Sequence, residues 1–314
     1  MRVLFRFDLD ARLRPLLDRL AQEGIDVTEC SEASDEDYLR HLPDAQVLWH
    51  VLKPVTGDHI ARARNLRLIQ KIGVGVNTID LEAAKNAGVA VCNLPGSNSR
   101  AVAELTVSLM LACLRRVAHL DSRMRAGEGW HWPSEWQGQF GEIGGRTVGL
   151  VGAGAVPRLL VPILKALGAR VLVTARTPRG DLDATYVDKG ELLASADIVS
   201  LHIPLTEETA GWLDRAAIAR MKPGAILVNT ARGGLVDETA LIDALNAGHL
   251  SAAGLDVFAD EPIPPASPLR YLETVTMTPH LAWLTRETLE RSIEMAAENC
   301  RRVASGEKLL NRIV

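Results

Sequence analysis

The sequence predicts an α/β protein that contains two doubly wound, parallel-sheet units. Short apolar, β-branched runs alternate with amphipathic stretches over about the first 95 residues, and the alternation resumes after about residue 145. This pattern is typical of a parallel sheet whose faces are covered by helices. The chain has 314 residues, which is enough for two domains that each bury a core.

The first unit starts at the amino terminus. Four runs predict strands, namely "RVLFRF", "QVLWHV", "LRLIQKI" and "VAVCNL". Two amphipathic runs predict helices, namely "LRPLLDRLAQEG" and "IDLEAAKNAG". Each of these helices is followed by a glycine, the residue that best adopts the left-handed conformation at a helix end.

A different kind of segment joins the two units. After the turn-forming "PGSNSR" comes one long helical run, "AVAELTVSLMLACLRRVAHLDSRMRAG". Much of its circumference is apolar, so we expect it to be buried between domains or between subunits. The tryptophan-rich "GEGWHWPSEWQGQFGEIGG" that follows is interpreted as an irregular loop.

The second unit repeats the alternation. Its strand candidates are "TVGLVG", "ARVLVTA", "DIVSLHIP", "AILVNTA", "SAAGLDV" and "TVTMTPH". Helical runs such as "DETALIDALNAG" lie between them, and the last thirty or so residues are predicted to be helical.

Composition and charge argue against several classes of protein. The formal net charge is −4, whereas nucleic-acid and membrane-surface partners require a basic patch. The longest apolar stretch, "LTVSLMLACL", is about half as long as a bilayer span. The four cysteines are scattered, which indicates free thiols and no metal site. The charged amino terminus does not resemble a signal peptide, so we expect a cytoplasmic protein.

"VGAGAVPRLL" has the form of a dinucleotide-binding turn with one part exchanged. Gly152 would allow the tight turn, and Gly154 would let the backbone approach a pyrophosphate. A proline, Pro157, stands where a third glycine is expected, but the first amides of a helix have no intrahelical acceptor. The amides of Ala155 and Val156 would still donate to phosphate. Pro162, about two turns into the helix, is expected to bend it.

Three further stretches carry candidate catalytic residues. They are "VNTARGGLVDETAL" with Arg232, "GLDVFADEP" with Glu261 and "TPHLAW" with His280. Together with "KIGVGVNTIDLEAA", "LPGSNSRAVAELT" and the glycine turn, this ordered set resembles the D-isomer-specific 2-hydroxyacid dehydrogenase family, and its glyoxylate and hydroxypyruvate reductases in particular. The resemblance covers nearly the whole chain.

The resemblance implies a role for each of these residues. His280 would be the general acid/base, because an imidazole titrates near neutral pH. Glu261 would hydrogen-bond the other ring nitrogen, and Arg232 would bind the substrate carboxylate and carbonyl oxygen with its planar fork of donors. The backbone amides of Val74 and Gly75 would hold the other side of the carboxylate.

The resemblance also implies the cofactor contacts. It places His202 at the nicotinamide pocket, although His202 would serve equally well in packing. The remaining predicted contacts in that part of the site are Pro204, Ala231 and Asp256. His50 could reach the substrate, but an ordinary loop role is favoured.

The segment after the second strand of this unit departs from the family pattern. Ala175 stands where an acidic residue would bind the adenosine ribose, and Arg176, Thr177 and Arg179 follow it. Losing a carboxylate while gaining positive charge favours a 2′-phosphate. We therefore predict NADP as the cofactor, with NAD as the alternative. A further alternative is that this segment is a basic surface loop with no role in cofactor binding.

The predicted domain organisation follows from the two α/β series and from the resemblance. Residues 98–284 would form a dinucleotide-binding Rossmann domain, inserted into a flavodoxin-like substrate-binding domain of residues 1–97 and 285–314. The expected activity is reversible hydride transfer between NADP(H) and a small 2-oxo or D-2-hydroxy acid, with glyoxylate or hydroxypyruvate favoured. The alternatives are an NAD-dependent phosphoglycerate dehydrogenase-like enzyme and a non-catalytic, nucleotide-sensing corepressor-like protein. The resemblance and the apolar linking helix also imply a homodimer.

Overall fold

The chain divides into two compact units. The computed structural model describes residues 1–128, 130, 133–177 and 182–314. One unit comprises Met1–Asn98 together with Leu284–Val314, and the other comprises Ser99–Trp283. Both are α/β units with parallel sheets, which confirms the predicted fold class.

The first unit, all of whose residues are described, contains a five-stranded sheet in the order β2-β1-β3-β4-β5. Its strands are β1 (Arg2–Arg6), β2 (Asp26–Cys30), β3 (Val47–His50), β4 (Leu68–Lys71) and β5 (Ala90–Cys92). Every neighbouring pair is parallel. Strand β2 was not predicted, because its residues alternate between exposed and partly buried positions at the edge of the sheet.

Helices of the first unit cover this sheet. They are α1 (Arg14–Gln22), α2 (Asp35–His41), α3 (Gly57–Arg62) and α4 (Leu81–Asn86). Side chains of Ser34, Thr56 and Asp80 accept the amide hydrogen bonds that begin α2, α3 and α4. The apolar faces of α2 and α3 contribute Tyr38 and Ile60 to a core shared with the strands.

The second unit begins with two helices where the sequence predicted one. Helix α5 (Ser99–Arg115) and helix α6 (Val117–Arg125) are separated at Arg116, whose φ of 51° is left-handed. The single-helix expectation was therefore wrong. Helix α5 packs against strands and a helix of its own unit, and Leu109 lies against Gly254.

Over the described residues, the sheet of the second unit has seven parallel strands in the order β12-β11-β10-β9-β6-β7-β8. The strands are β6 (Thr147–Val151), β7 (Arg170–Thr174), β8 (Thr185–Tyr186), β9 (Ile198–Leu201), β10 (Ala225–Asn229), β11 (Leu250–Leu255) and β12 (Val275–Met277). The order reverses between β6 and β9, where doubly wound sheets bind their ligands.

Helices connect these strands and complete the second unit. They are α7 (Ala155–Ala166), α8 (Lys189–Ser195), α9 (Arg215–Ala219) and α10 (Glu238–Asn246). An aspartate caps the amino end of each of the last three, at Asp188, Asp214 and Asp237. Within the described ranges, no helix combines the length and apolar character needed to cross a bilayer.

The chain returns to the first unit through α11 (Arg286–Ser305). Asn299 on this helix donates a buried hydrogen bond of 2.7 Å to Gln70 of β4. Arg301 pairs with Glu23 at 2.7 Å, next to the end of α1. The final residues run antiparallel to β5, where the Ile313 amide donates to the Val91 carbonyl.

Candidate active site

The predicted site residues of the second unit lie at one edge of its sheet. Gly152 follows β6, Ala175 follows β7 and His202 follows β9. Ala231 and Arg232 come shortly after β10, Asp256 follows β11 directly, and His280 is three residues beyond β12. Because all these strands are parallel, their carboxyl ends share an edge, which is where α/β proteins place their ligands.

The glycine turn has the backbone that its sequence predicts. Gly152 has a φ of 112°, and a Cβ added there would lie 2.6 Å from the carbonyl oxygen of His202. Only glycine fits this position. Gly154 is the N-cap of α7, is exposed, and has no atom within 4 Å of an added Cβ. The turn is therefore tight at its first glycine and open at its second.

The two prolines of α7 are accommodated differently. Pro157 is the third residue of the helix and is buried, so it replaces an amide that would have no intrahelical acceptor. Ala155 and Val156 precede it and keep their amide donors at the helix start. Pro162 lies inside the helix, which continues through it to Ala166. The bend expected at Pro162 stays a prediction.

Charge at the end of β7 comes from an arginine rather than a carboxylate. Ala175 packs partly against the core, whereas Arg176 and Thr177 are exposed. The Nη1 atom of Arg176 lies 3.4 Å from the Oε2 atom of Glu208. Arg179, also predicted to add positive charge, lies outside the described residues.

His280 and Glu261 form a hydrogen-bonded pair. The Nδ1 atom of His280 lies 2.6 Å from Oε2 of Glu261, and the two side chains are 20% and 35% exposed. The Phe258 amide donates to the other carboxylate oxygen at 3.0 Å. Glu261 is thereby held from two sides, and Nε2 is the ring nitrogen of His280 that remains for a substrate.

Glu261 is ionised at neutral pH. Burial by itself would raise its pKa, but the hydrogen bond and charge of His280, the Phe258 amide and the charge of Arg232 together lower the pKa of Glu261. Because the pKa of Glu261 is lower in the folded protein, its carboxylate contributes fully to folding stability above the ordinary glutamate pKa. This contribution to folding stability is lost as the pH falls through the lowered pKa of Glu261.

Arg232 is brought to the same region by close backbone packing. The next residue, Gly233, lies so near Phe258 that a Cβ added to Gly233 would lie 1.9 Å from the carbonyl carbon of Phe258. The side chain of Asn229 holds both sides of this loop, because it donates to the Arg232 carbonyl and accepts from the Ala231 amide. Burial lowers the pKa of Arg232 and the charge of Glu261 opposes that shift; the guanidinium stays charged.

Asp256 braces the turn that carries His280. Its fully buried carboxylate accepts hydrogen bonds from the Thr278 hydroxyl at 2.6 Å and from the amides of Leu281 and Ala282 at 3.0 and 2.9 Å. Its carbonyl accepts from the His280 amide at 2.8 Å. These bonds hold His280 at a left-handed φ of 51°. Burial raises the pKa of Asp256 in spite of them.

His202 is a neutral side chain in this structure. Its Nε2 atom lies 2.9 Å from the Ser200 hydroxyl, and burial lowers the pKa of His202 to about 3. The adjacent Pro204 is exposed, and its carbonyl accepts from the Thr209 hydroxyl. Cofactor contacts by His202, Pro204, Ala231 and Asp256 stay predictions.

The predicted substrate contacts of the first unit lie in the loop after β4. Val74 is exposed, and its carbonyl accepts a hydrogen bond of 2.8 Å from the Asn93 side chain. Gly75 follows it and is half-buried. His50 is buried, its Nε2 atom lies 2.8 Å from the Thr78 hydroxyl, and burial next to Lys71 and Arg6 lowers its pKa.

The second unit is similar to a known protein family. Residues 107–282 match the family model described as "D-isomer specific 2-hydroxyacid dehydrogenase, NAD binding domain". The chain belongs to the D-isomer specific 2-hydroxyacid dehydrogenase family. The members of this family are oxidoreductases, and the matched domain is one that binds a nicotinamide dinucleotide.

Two curated relatives carry different names. The chain is 38% identical to a glyoxylate reductase of Aeropyrum pernix over 89% of its own length and 87% of that protein. It is 40% identical to a D-3-phosphoglycerate dehydrogenase of Mycobacterium leprae over 93% of its length, but it spans only 57% of that relative. The TT0316 protein from Thermus thermophilus has a similar solved structure, with a TM-score of 0.91, 39% identity and full coverage of both chains.

Proposed function

We propose that this protein is an NADP(H)-dependent reductase of small 2-oxo acids, with glyoxylate or hydroxypyruvate as the favoured substrate. The observation that carries the proposal is the hydrogen bond between Nδ1 of His280 and Oε2 of Glu261, beside Arg232. A glyoxylate reductase similar to this chain over most of both lengths supports the choice of substrate class.

His280 is the proton donor in this proposal. The Nδ1–Glu261 hydrogen bond fixes the ring orientation and leaves Nε2 to give a proton to the substrate carbonyl oxygen. The anionic carboxylate stabilises the imidazolium that reduction consumes. In the oxidative direction the same nitrogen removes the hydroxyl proton.

Arg232 binds the substrate carboxylate and polarises its carbonyl group. Its partly buried guanidinium offers a planar set of donors, and these match a carboxylate better than an ammonium group does. The family resemblance assigns the other side of the carboxylate to the backbone amides of Val74 and Gly75, and this assignment stays a prediction. The Gly233 contact and the Asn229 hydrogen bonds restrict how far the Arg232 loop can move.

The residues at the carboxyl edge fit a dinucleotide. Gly152 permits the turn, open space at Gly154 permits backbone approach, and Ala155 and Val156 offer amides at the start of α7. A bound nicotinamide supplies the hydride. Ala175 presents no carboxylate to a 2′-phosphate, and the exposed Arg176 presents a guanidinium, so we propose NADP(H) over NAD(H).

A substrate panel tests the proposed activity directly. Glyoxylate, hydroxypyruvate, pyruvate and 3-phosphohydroxypyruvate are each offered with NADPH and with NADH, and loss of absorbance of the reduced nicotinamide is followed. Highest kcat/KM for glyoxylate or hydroxypyruvate with NADPH is the expected result. Preference for the phosphorylated substrate with NADH supports the second candidate, a phosphoglycerate dehydrogenase-like enzyme, which the relative from Mycobacterium leprae favours. Nucleotide binding without turnover of any substrate supports a corepressor-like protein.

Replacing Glu261 with glutamine tests the proton-transfer pair. The amide cannot supply the negative charge that stabilises the protonated imidazole, so the decline of the reduction rate with rising pH should begin at a lower pH. The measurement is the pH profile of kcat/KM in the wild type and in Glu261→Gln. Glu273→Gln is the matched control, because Glu273 pairs with a different histidine, His119, at 3.6 Å. Identical profiles for all three proteins would mean that Glu261 does not act on His280.

The double replacement Ala175→Asp with Arg176→Gln tests the cofactor proposal. A hydrogen bond to a charged group contributes about 1.5–3 kcal/mol, so wild-type kcat/KM should favour NADPH over NADH by roughly tenfold to a hundredfold. The double variant should prefer NADH, because an introduced carboxylate repels the phosphate and the guanidinium is gone. Arg170→Gln removes the same charge at the opposite end of β7 and should keep the wild-type preference. A wild type that uses NADH equally well or better contradicts the proposal.

We also propose that two copies associate through the surface of α5 and α6. Leu111, Val117 and Met124 on these helices are exposed apolar side chains, and Trp130 is 79% exposed. A groove of about 680 Å³ between Met124, Trp130, Trp136 and Phe140 adds to this apolar surface. Light scattering of the purified protein measures its molar mass in solution. A mass of two chains is the expected result, and a mass of one chain contradicts the proposed dimer.

A further inference from the structure

An ion pair spans the end of the strand that leads into the glycine turn. Arg176 comes two residues after β7, and Glu208 lies in the loop after β9. Strands β7 and β9 are the two neighbours of β6, which runs directly into Gly152. The 3.4 Å contact between Arg176 Nη1 and Glu208 Oε2 therefore bridges from one side of β6 to the other.

A small hydrogen-bonded turn fixes the backbone around Glu208. The Thr209 hydroxyl donates to the Pro204 carbonyl at 2.6 Å and accepts from the Thr206 amide at 2.8 Å. The Ala210 amide donates to the Thr206 carbonyl at 2.8 Å. The turn that carries Glu208 is therefore fixed to the end of β9, and its exposed side chain extends from there to the Arg176 guanidinium.

We propose that Glu208 is a specificity-determining residue that limits the preference for a 2′-phosphorylated cofactor. The inference rests on the proposed role of Arg176. A 2′-phosphate and the Glu208 carboxylate are two anions that compete for one guanidinium, and the carboxylate also repels the phosphate. The side chains of Arg176 and Glu208 are 89% and 80% exposed, so their pairing is weak enough for a phosphate to displace it.

The expected effect is selective for ligands that carry the second phosphate. Replacing Glu208 with glutamine removes the competitor and its charge while keeping the size of the side chain. The affinity for 2′,5′-ADP should rise about twofold to fivefold, a range typical of interactions between exposed charges, and this gain should shrink with added salt. The affinity for 5′-AMP, which differs only in lacking the 2′-phosphate, should stay the same.

The experiment is a calorimetric titration of the whole protein with 2′,5′-ADP and with 5′-AMP. The variants are Glu208→Gln, Arg176→Gln and both together. Glu207→Gln is the matched control, because Glu207 is the adjacent exposed carboxylate of the same loop and lies outside the ion pair. Tighter binding of 2′,5′-ADP alone, in Glu208→Gln and not in Glu207→Gln, supports the inference.

The remaining outcomes overturn the Glu208 inference, and they show whether the cofactor proposal fails with it. If Arg176→Gln weakens 2′,5′-ADP binding but Glu208→Gln leaves it unchanged or weaker, the role of Glu208 is overturned and the cofactor proposal stands. An equal gain in Glu207→Gln, or an equal gain for 5′-AMP, also overturns it, because the effect is then not specific to the pair. If the wild type binds 2′,5′-ADP no more tightly than 5′-AMP, the cofactor proposal fails, and the Glu208 inference fails with it.

Discussion

Replacing His280 with alanine is expected to lower kcat by about 10²–10⁴-fold, the usual contribution of a positioned acid/base group. The Nδ1 atom of His280 lies 2.6 Å from Oε2 of Glu261. The turn that carries His280 donates three stabilising hydrogen bonds to the Asp256 carboxylate, from Thr278, Leu281 and Ala282. Alanine removes the proton donor but leaves the backbone bonds of that turn in place. The measurement is steady-state reduction of the best 2-oxo acid in the panel, together with a titration of cofactor binding by fluorescence.

The cofactor titration and a control variant make this result specific. Cofactor binding by His280→Ala should change little, because the predicted phosphate contacts are at Gly154, Ala155 and Val156. His249→Ala is the control, since His249 bonds the carbonyl of Ile218 in the same unit and outside the site. Near-normal turnover by His280→Ala would remove the assignment of His280 as the proton donor.

Replacing Arg232 with lysine is expected to lower kcat/KM by roughly tenfold to a hundredfold, with a raised KM. Lysine keeps the positive charge but loses the planar set of donors that can bind a carboxylate at two points. The nearby carboxylate of Glu261 makes the change more severe. A compact ammonium on a flexible stem can pair with Glu261 instead of the substrate.

The comparison for Arg232→Lys is Arg215→Lys. Arg215 is an exposed arginine of the same unit that pairs with Asp243 at 2.7 Å, so its replacement should leave kcat/KM unchanged. Initial rates over a range of substrate concentrations separate KM from kcat. Wild-type kinetics in Arg232→Lys would place the substrate carboxylate elsewhere.

Alternation of apolar and amphipathic runs was sufficient to predict most of the strands. Runs such as "AILVNTA" are buried along their whole length in β10, so their composition shows directly. Strand β2 was not predicted because it is polar and half-exposed at an edge of its sheet. Strand β8 was not predicted because two residues are too few to form a pattern. The break between α5 and α6 was not predicted because nothing in the local composition marks Arg116 as left-handed.

The sequence by itself determined the fold class, the family and the identity of the candidate catalytic residues, because these depend on local periodicity and on ordered motifs. Tertiary structure alone decided how those residues meet. Gly233 had to be glycine because Phe258 approaches it, and Asp256, predicted from sequence as a cofactor contact, directs its buried carboxylate to the turn around His280. The pairing of Arg176 with Glu208 likewise depends on two loops that follow different strands. Such contacts join segments far apart in the chain, and only the parallel sheet, which gathers its carboxyl ends at one edge, brings them within reach.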